Sequence, residues 1–197
     1  MAVNEELIED LKRENAHFFE AGKKESDRGL ALVAAEFFDL TLERLLLARF
    51  ASSFKKQPKL IKPLFEGFGP LSTFSSKISV SYAIDLLQNW MASDLDLIRR
   101  IRNEFAHSLE AKTFRDPTVS RMVGQLASIT KVIKDVESFQ SELQLQQGRP
   151  QNSGETSRIK FYFVSIRIGA LLQAKVVVLE SDGPDEMKRS FMVNPEL

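Results

Sequence analysis

Apolar residues recur every three or four positions through most of the first 147 residues, a period that predicts α-helices rather than strands. The first helix is predicted from about Asn4 to Gly22, since glycine is common just after a helix C-terminus. Ser26 or Asp27 can cap a second, longer helix by accepting hydrogen bonds from its first N–H groups. Its broad apolar face makes this second helix the predicted core helix. That face comprises Leu30, Val33, Phe37, Phe38, Thr41, Leu42, Leu45 and Leu46.

A break in the pattern follows, and then further helices. Prolines and glycines between residues 58 and 70 leave room for at most a single helical turn, around Leu60–Phe65. An apolar stripe from about Ser75 predicts a third helix. A cap at Ser93 or Asp94 predicts a fourth, whose stripe contains Ile98, Ile101, Phe105 and Leu109.

The clearest helix start in the chain is Asp116-Pro117. Aspartate accepts hydrogen bonds from unpaired N–H groups, and proline at the first helical position has no N–H to leave unpaired. The stripe that follows predicts a helix that extends as far as Gln147. Its spacing near 3.5 residues suits packing along a neighbouring helix, in the same molecule or in a second subunit.

The pattern of the last quarter leaves two structures open. Residues 148–157 have the composition of a linker. The β-branched and aromatic residues between 159 and 168 favour a strand, and the run 176–179 is the most strand-like of the chain. A helical face fits the same region equally well. That face comprises Ile159, Tyr162, Phe163, Ile166 and Ala170.

Composition indicates one ordinary globular domain: 197 residues, of which 43% are hydrophobic and 27% are charged. Lys plus Arg and Asp plus Glu both number 27, so the chain lacks the basic excess of a protein that neutralises nucleic-acid phosphates. The absence of cysteine fits a reducing compartment and excludes thiol chemistry. We expect neither a membrane span nor a secretory signal, and therefore a cytoplasmic protein.

Common catalytic and cofactor motifs are missing from the sequence. The two histidines, His17 and His107, have no metal-ligand spacing, and no phosphate-binding or hydrolase glycine motif occurs. We therefore expect no cofactor and no metal. A helix-turn-helix over residues 75–109 is disfavoured, because its connector at residues 88–92 lacks glycine and contains bulky apolar side chains.

The helix that ends near His107 contains one arginine in an unusual position. At about 100° per residue, Arg102 falls on the apolar face, whereas Asn103 and His107 fall on the polar face. A guanidinium packed against a core requires a carboxylate or several carbonyls to satisfy its donors. Asp39 is similarly out of place on the core helix, so the sequence predicts an ion pair between Asp39 and Arg102.

His107 has two interpretations. The simpler one is a histidine that packs near its helix end, where the helix dipole favours positive charge. The other is catalysis at a phosphodiester, with His107 as general acid or base, Arg102 on the developing phosphate charge and Asn103 orienting the attacking group. Arg102 and His107 diverge around one helix, so the catalytic interpretation requires a second copy of the chain or a local distortion.

Three blocks of sequence resemble the mannitol operon repressor family, in the order of that family. They are Asp27-Arg28-Gly29 with Asp39 and Glu43, the segment 69–78 (GPLSTFSSKI) before Tyr82-Ala83, and the segment 98–107 (IRRIRNEFAH). The resemblance implies an all-helical fold, regulation of genes for sugar-alcohol uptake, and control through a protein partner, since the family has no conventional DNA-binding motif. It also implies that residues 158–172 form a helix. The chain departs from the family pattern at residues 85–87 and in its last segment.

Residues 102–107 (RNEFAH) are also similar to the R-x4-6-H signature of HEPN domains. That resemblance covers six residues. It implies a metal-independent ribonuclease in which Arg102 and His107 are catalytic and a dimer brings two motifs together.

Together these observations predict an all-α, single-domain, multi-helix bundle over residues 1–175, with a linker near 148–157. Residues 176–197 are predicted to form a short C-terminal tail that is extended or disordered. The predicted function is transcription regulation through a protein partner. A homodimer is expected, direct DNA reading is not, and RNA is a partner only under the ribonuclease alternative.

Overall fold

The computed structural model describes residues 5–50, 52–108, 111–128 and 153–181, and within these ranges it contains helices and no strand. The all-α prediction is therefore confirmed. The helices are α1 (Glu5–Lys24), α2 (Asp27–Arg49), α3 (Ser52–Lys55), α4 (Pro58–Phe65), α5 (Phe74–Ala83), α6 (Asn89–His107), α7 (Pro117–Gly124) and α8 (Ser153–Glu180).

Helix α2 lies at the centre of the fold, as its broad apolar face predicted. It packs against α1, α5, α6 and α8, so most of its circumference is covered. Ser26 caps it, accepting a hydrogen bond from the Gly29 N–H at 3.0 Å. Residues with no exposed surface occur on several of its faces. They include Leu30, Ala31, Ala34, Phe38, Leu42, Leu45 and Leu46.

In the last quarter of the chain, where the sequence left a strand and a helix open, the structure contains the helix α8. Its buried positions recur every three or four residues, at Phe161, Val164, Ile168, Leu172 and Val176. The helix over residues 158–172 is confirmed, although its buried face differs from the one that the sequence predicted. The strand-like interpretation of residues 176–179 was wrong, since these residues continue α8, and the packing of that helix in the core outweighs their β-propensity. The helix also continues beyond residue 175, the predicted domain limit, and its first residues lie in the predicted linker.

The segment Thr156–Glu180 is long and apolar enough to cross a membrane by length and composition alone. One such helix is weak evidence for a span, because the core helix of a soluble protein has the same properties. In this fold α8 packs against α1, α2 and α7, and its buried polar residues Ser165, Gln173 and Lys175 lie inside the protein. We interpret it as a core helix.

Three predicted helix ends were wrong, for identifiable reasons. Helix α1 passes through Gly22, where a β-carbon would lie 2.3 Å from Tyr162 Cε2, so this glycine permits close packing instead of ending the helix. Helix α6 begins before Asp94, which is buried inside it and accepts hydrogen bonds from the N–H groups of Ala127 and Ser128 at 2.6 and 2.9 Å. Helix α7 starts at Pro117 as predicted, but the Asp116 carboxylate accepts from Thr113 instead of capping the helix, which ends at Gly124. The rest of the helix predicted to Gln147 lies outside the described residues from 129 onward.

The break between α2 and α5 contains more helix than predicted. Instead of one turn, it holds the four-residue α3 and the eight-residue α4, which has Pro58 at its first position. The loop after α4 is bonded back onto that helix, because the Leu71 N–H donates to the Leu64 carbonyl at 2.8 Å. This bond holds the loop that leads into α5 against α4.

Candidate functional site

A buried lysine joins α5 to the core helix. Lys77 is 2% exposed, and its Nζ lies 3.0 Å from Asp39 Oδ2 and 2.7 Å from Glu43 Oε2. The same ammonium lies 5.8 Å from the centre of the Phe65 ring. Two carboxylates and an aromatic face thus compensate a cation that has almost no contact with water. The two ion pairs of Lys77 fix the position of α5 along α2.

The first turn of α5 is held by a reciprocal cap. The Ser76 N–H donates to Thr73 Oγ1 at 3.1 Å, and the Thr73 N–H donates to Ser76 Oγ at 3.3 Å. In the preceding loop, Ser72 Oγ donates to the Gly69 carbonyl at 2.8 Å. Most of the GPLSTFSSKI block therefore has a structural explanation, and it orients the N-terminal end of α5.

The predicted ion pair between Asp39 and Arg102 is not formed. Asp39 pairs with Lys77, whereas Arg102 is exposed and donates from Nη1 to Asn103 Oδ1 at 3.0 Å. Arg102 lies at the edge of the buried face of α6, beside an open cleft, so water can solvate its guanidinium. The sequence analysis did not identify Lys77 as a buried residue. The one indication was its position next to Ile78, in the apolar stripe of a predicted helix.

That cleft lies between α2, the N-terminal end of α5 and α6, and its volume is about 640 Å³. Two of the three blocks that resemble the repressor family meet there, together with Asp39 of the first. Its walls contain Leu32, Val33, Ala35, Glu36 and Asp39 from α2, residues 72–75, and Arg99, Arg102 and Asn103 from α6. We take this cleft as the candidate functional site, and call it the α2–α5–α6 cleft.

The charges of the α2–α5–α6 cleft are divided between its walls. Glu36 and Asp39 come from α2, and Arg99 and Arg102 come from α6. Arg99 is already paired, since its Nε and Nη2 lie 3.0 and 2.8 Å from Asp96 Oδ1. Asp39 Oδ1 is buried and has no hydrogen-bond partner within the part of the chain that the structure describes. The cleft can thus both donate and accept hydrogen bonds.

The predicted site residues are only partly brought together. Asp39, Arg102 and Asn103 all line the cleft, but His107 does not. His107 is the last residue of α6 and is exposed, as is His17 on α1. Among the described residues, no group of three or more His, Cys, Asp or Glu side chains could hold a metal ion.

Asp27, in the first family-like block, is a second residue whose role the sequence did not reveal. Its Oδ1 lies 2.7 Å from Arg158 Nη1, and its Oδ2 accepts a hydrogen bond from the Phe114 N–H at 2.9 Å. Arg158 also donates to the carbonyls of Gly22 and Glu25. Asp27 therefore ties the start of α2 to α8 and to the segment before α7.

The chain belongs to the mannitol repressor family, whose model matches residues 17–158. The resemblance noted in the sequence is thereby confirmed. The X-ray structure of the MtlR–HPr complex from Escherichia coli has the same fold, with a TM-score of 0.61 and 17% identity over 82% of this chain and 99% of that one. A possible transcriptional regulator, YggD from Shigella flexneri 2a strain 2457T, gives a TM-score of 0.61 and 13% identity over 82% and 98% of the two chains. No curated protein sequence matches the chain.

Proposed function

We propose that this protein is a cytoplasmic transcription regulator that acts by binding a protein partner. The observation that carries the proposal is the fold match to nearly the whole chain of a protein whose structure was solved as the MtlR–HPr complex. Membership of the mannitol repressor family supports the regulatory part. By analogy with that complex, HPr or a protein like it is the partner that we propose for this chain.

The charge of the chain supports a protein partner rather than direct reading of DNA. The balanced charge of the chain provides little counterion release with which to drive binding to phosphates.

Exposed aromatic surface supports a protein partner instead. Phe68, between Gly67 and Gly69, is fully exposed at the tip of the loop before α5. The loop packs closely against the end of α4, since a β-carbon on Gly69 would lie only 2.3 Å from the Pro63 carbonyl oxygen. An aromatic side chain that is held in water with no contacts of its own is the type of residue that anchors protein interfaces.

Isothermal titration calorimetry with purified HPr tests the proposal. We expect saturable heat when HPr is titrated into the full chain, and none with an unrelated small acidic protein at equal concentration. Sedimentation or light scattering of the free protein tests the homodimer that we include in this proposal. Absence of any complex with HPr from either Escherichia coli or the protein's own source would overturn the HPr assignment.

A metal-independent ribonuclease of the HEPN kind is the second candidate. One observation favours it: Arg102 and His107 are both exposed, and neither forms an ion pair with a carboxylate of the described residues. Incubation with RNA in EDTA tests it, with His107→Ala as the catalytic variant and His17→Ala as the matched control. Cleavage that His107→Ala abolishes and His17→Ala retains would favour the enzyme, and no cleavage by the wild-type protein would reject it.

A further inference from the structure

A second pocket, which we call the α6–α7 pocket, lies between the C-terminal half of α6 and helix α7. Its volume is about 380 Å³, within the ~300–1,000 Å³ of typical small-molecule sites. Its polar side chains come from both helices and from the residue that follows α7. They are Arg100, Asn103, Glu104, Thr118, Arg121 and Gln125.

The two helices that form this pocket are held in place by buried contacts. The Asp94 carboxylate of α6 accepts hydrogen bonds from the N–H groups of Ala127 and Ser128, just beyond α7, at 2.6 and 2.9 Å. Met122 of α7 lines the pocket and is buried in the core. A ligand would therefore meet preorganised walls.

The α6–α7 pocket has a local excess of positive charge, although the net charge of the chain is zero. Arg100 and Arg121 are exposed, and neither forms an ion pair with another described residue. Glu104, the one carboxylate among the lining residues, is already paired with Lys112. Two guanidinium groups from two helices thus lack a counter-charge, so the pocket favours an anion.

The same count of charges argues against other classes of ligand. A cation would be repelled by both arginines, and an uncharged molecule would gain no Coulomb energy from them. A ligand that carries both charges would find no unpaired carboxylate among the lining residues for its cationic group. The pocket therefore selects by charge.

The number and shape of the donors favour a phosphoryl group over a carboxylate. A guanidinium donates two parallel N–H groups that match two oxygens of a phosphate. A phosphate monoester carries a charge of about −1.5 to −2 at pH 7, which two guanidinium groups neutralise. Its remaining acceptor capacity suits the side-chain donors of Asn103, Thr118 and Gln125. A single carboxylate would leave one of the two arginines without a counter-charge.

We propose that the α6–α7 pocket binds the phosphoryl group of a small phosphate monoester, with Arg100 of α6 and Arg121 of α7 both donating to its oxygens. The ligand then bridges the two helices. This site goes beyond the proposed function, because it requires no protein partner.

A series of small anions tests the site on the full chain at constant ionic strength, which keeps screening equal between samples. Methyl phosphate is the monoester, dimethyl phosphate is the diester with a single charge, and succinate is a dicarboxylate. The pocket variants are Arg100→Gln and Arg121→Gln. Arg115→Gln is the matched control, since Arg115 is also exposed and without an ion pair among the described residues but does not line the pocket. Phosphorus NMR titration gives the affinity for the phosphates, and the rise in melting temperature with ligand concentration compares all three anions.

We expect methyl phosphate to bind saturably to the wild-type protein and to Arg115→Gln. Each pocket variant should bind it at least tenfold more weakly, while its melting temperature without ligand stays close to wild type. Dimethyl phosphate and succinate should each bind the wild-type protein at least tenfold more weakly than methyl phosphate does.

Absence of methyl phosphate binding would overturn the proposal. An equal loss of affinity in Arg115→Gln would also overturn it, because the anion would then respond only to the general charge of the surface. Equal binding of dimethyl phosphate would reject a site for monoesters and indicate the phosphodiesters of a nucleic acid, and tighter binding of succinate would assign the pocket to dicarboxylates.

Discussion

At the scale of single residues, the most consequential contact is the one between Lys77 and the two carboxylates of α2. Its ammonium is almost completely withdrawn from water, whereas Asp39 and Glu43 keep 24% and 32% of their side-chain surface exposed. Removal of the cation would leave two partly buried carboxylates close together, which electrostatics disfavours. The position of α5 thus depends on one side chain.

We expect Lys77→Ala to lower the free energy of unfolding by about 2–4 kcal/mol, measured by urea denaturation, because it breaks a buried pair and removes packed methylene groups. The matched control is Lys12→Ala, since Lys12 forms an exposed pair with Glu9 at 2.7 Å, and exposed pairs contribute about 0–1 kcal/mol. Equal effects of the two substitutions would show that the buried cation has no special role.

A second buried lysine makes stability depend on pH. Burial lowers the pKa of Lys175 to about 8, whereas in an unfolded chain it titrates near its ordinary value of about 10.4. The folded protein therefore loses this proton first, and the free energy of unfolding should rise as pH increases from about 8 to about 10.4.

Lys175→Met isolates this effect. At pH 7 the variant should be more stable than the wild-type protein by up to about 3 kcal/mol, because it removes the penalty of burying the charge. The difference should shrink as pH is raised to 10, as the wild-type lysine becomes neutral in the folded state. Urea denaturation of both proteins at several pH values measures this difference in the free energy of unfolding. A difference that stays constant over this range would contradict the lowered pKa of Lys175.

At the scale of elements, local sequence predicted helix starts better than it predicted contacts. Ser26 and Pro117 were identifiable because a cap or a first-turn proline acts within a few residues. The role of Asp94 was hidden, because it accepts hydrogen bonds from a segment more than thirty residues away. The predicted environment of Arg102 was wrong, because a helical wheel gives the direction of a side chain but not which neighbouring element covers it.

Helix α8 is a second case in which packing between distant elements, and not local sequence, decides the structure. Its β-branched and aromatic residues favour a strand locally, a helical face fits them equally well, and only the family resemblance decided for the helix. The deciding factor is non-local: Gly169 lets α8 approach α2 so closely that a β-carbon there would lie 2.5 Å from Phe37 Cε1. The packing partner, which the sequence does not reveal, selects the helix.

The loop between α4 and α5 gives a test at this scale. Gly69→Ala should destabilise the protein by more than 1 kcal/mol, because its β-carbon would meet the fixed carbonyl oxygens of Pro63 and Leu64 at 2.3 and 2.4 Å. Gly124→Ala is the matched control, since a β-carbon there meets nothing within 4 Å. Thermal denaturation measures both variants, and equal stability of the two would contradict this view of the loop.

At the scale of the whole molecule, the family-like blocks have two kinds of role. Asp27, Asp39, Glu43 and Lys77 hold helices together, whereas Ser75, Arg102 and Asn103 line an open cleft. The sequence analysis correctly identified these blocks, the helical class and the family. It could not separate structural from surface residues, since that separation depends on how α2, α5, α6 and α8 meet.

The central proposal is that the protein acts on a protein partner rather than on DNA. The most direct measurement compares both bindings on one preparation of the full chain, with HPr and with a DNA fragment from upstream of the protein's own gene, at low and moderate salt. We expect a complex with HPr at both salt concentrations and no specific DNA complex. A sequence-specific DNA complex whose affinity falls steeply with salt, together with no HPr complex, would contradict the claim.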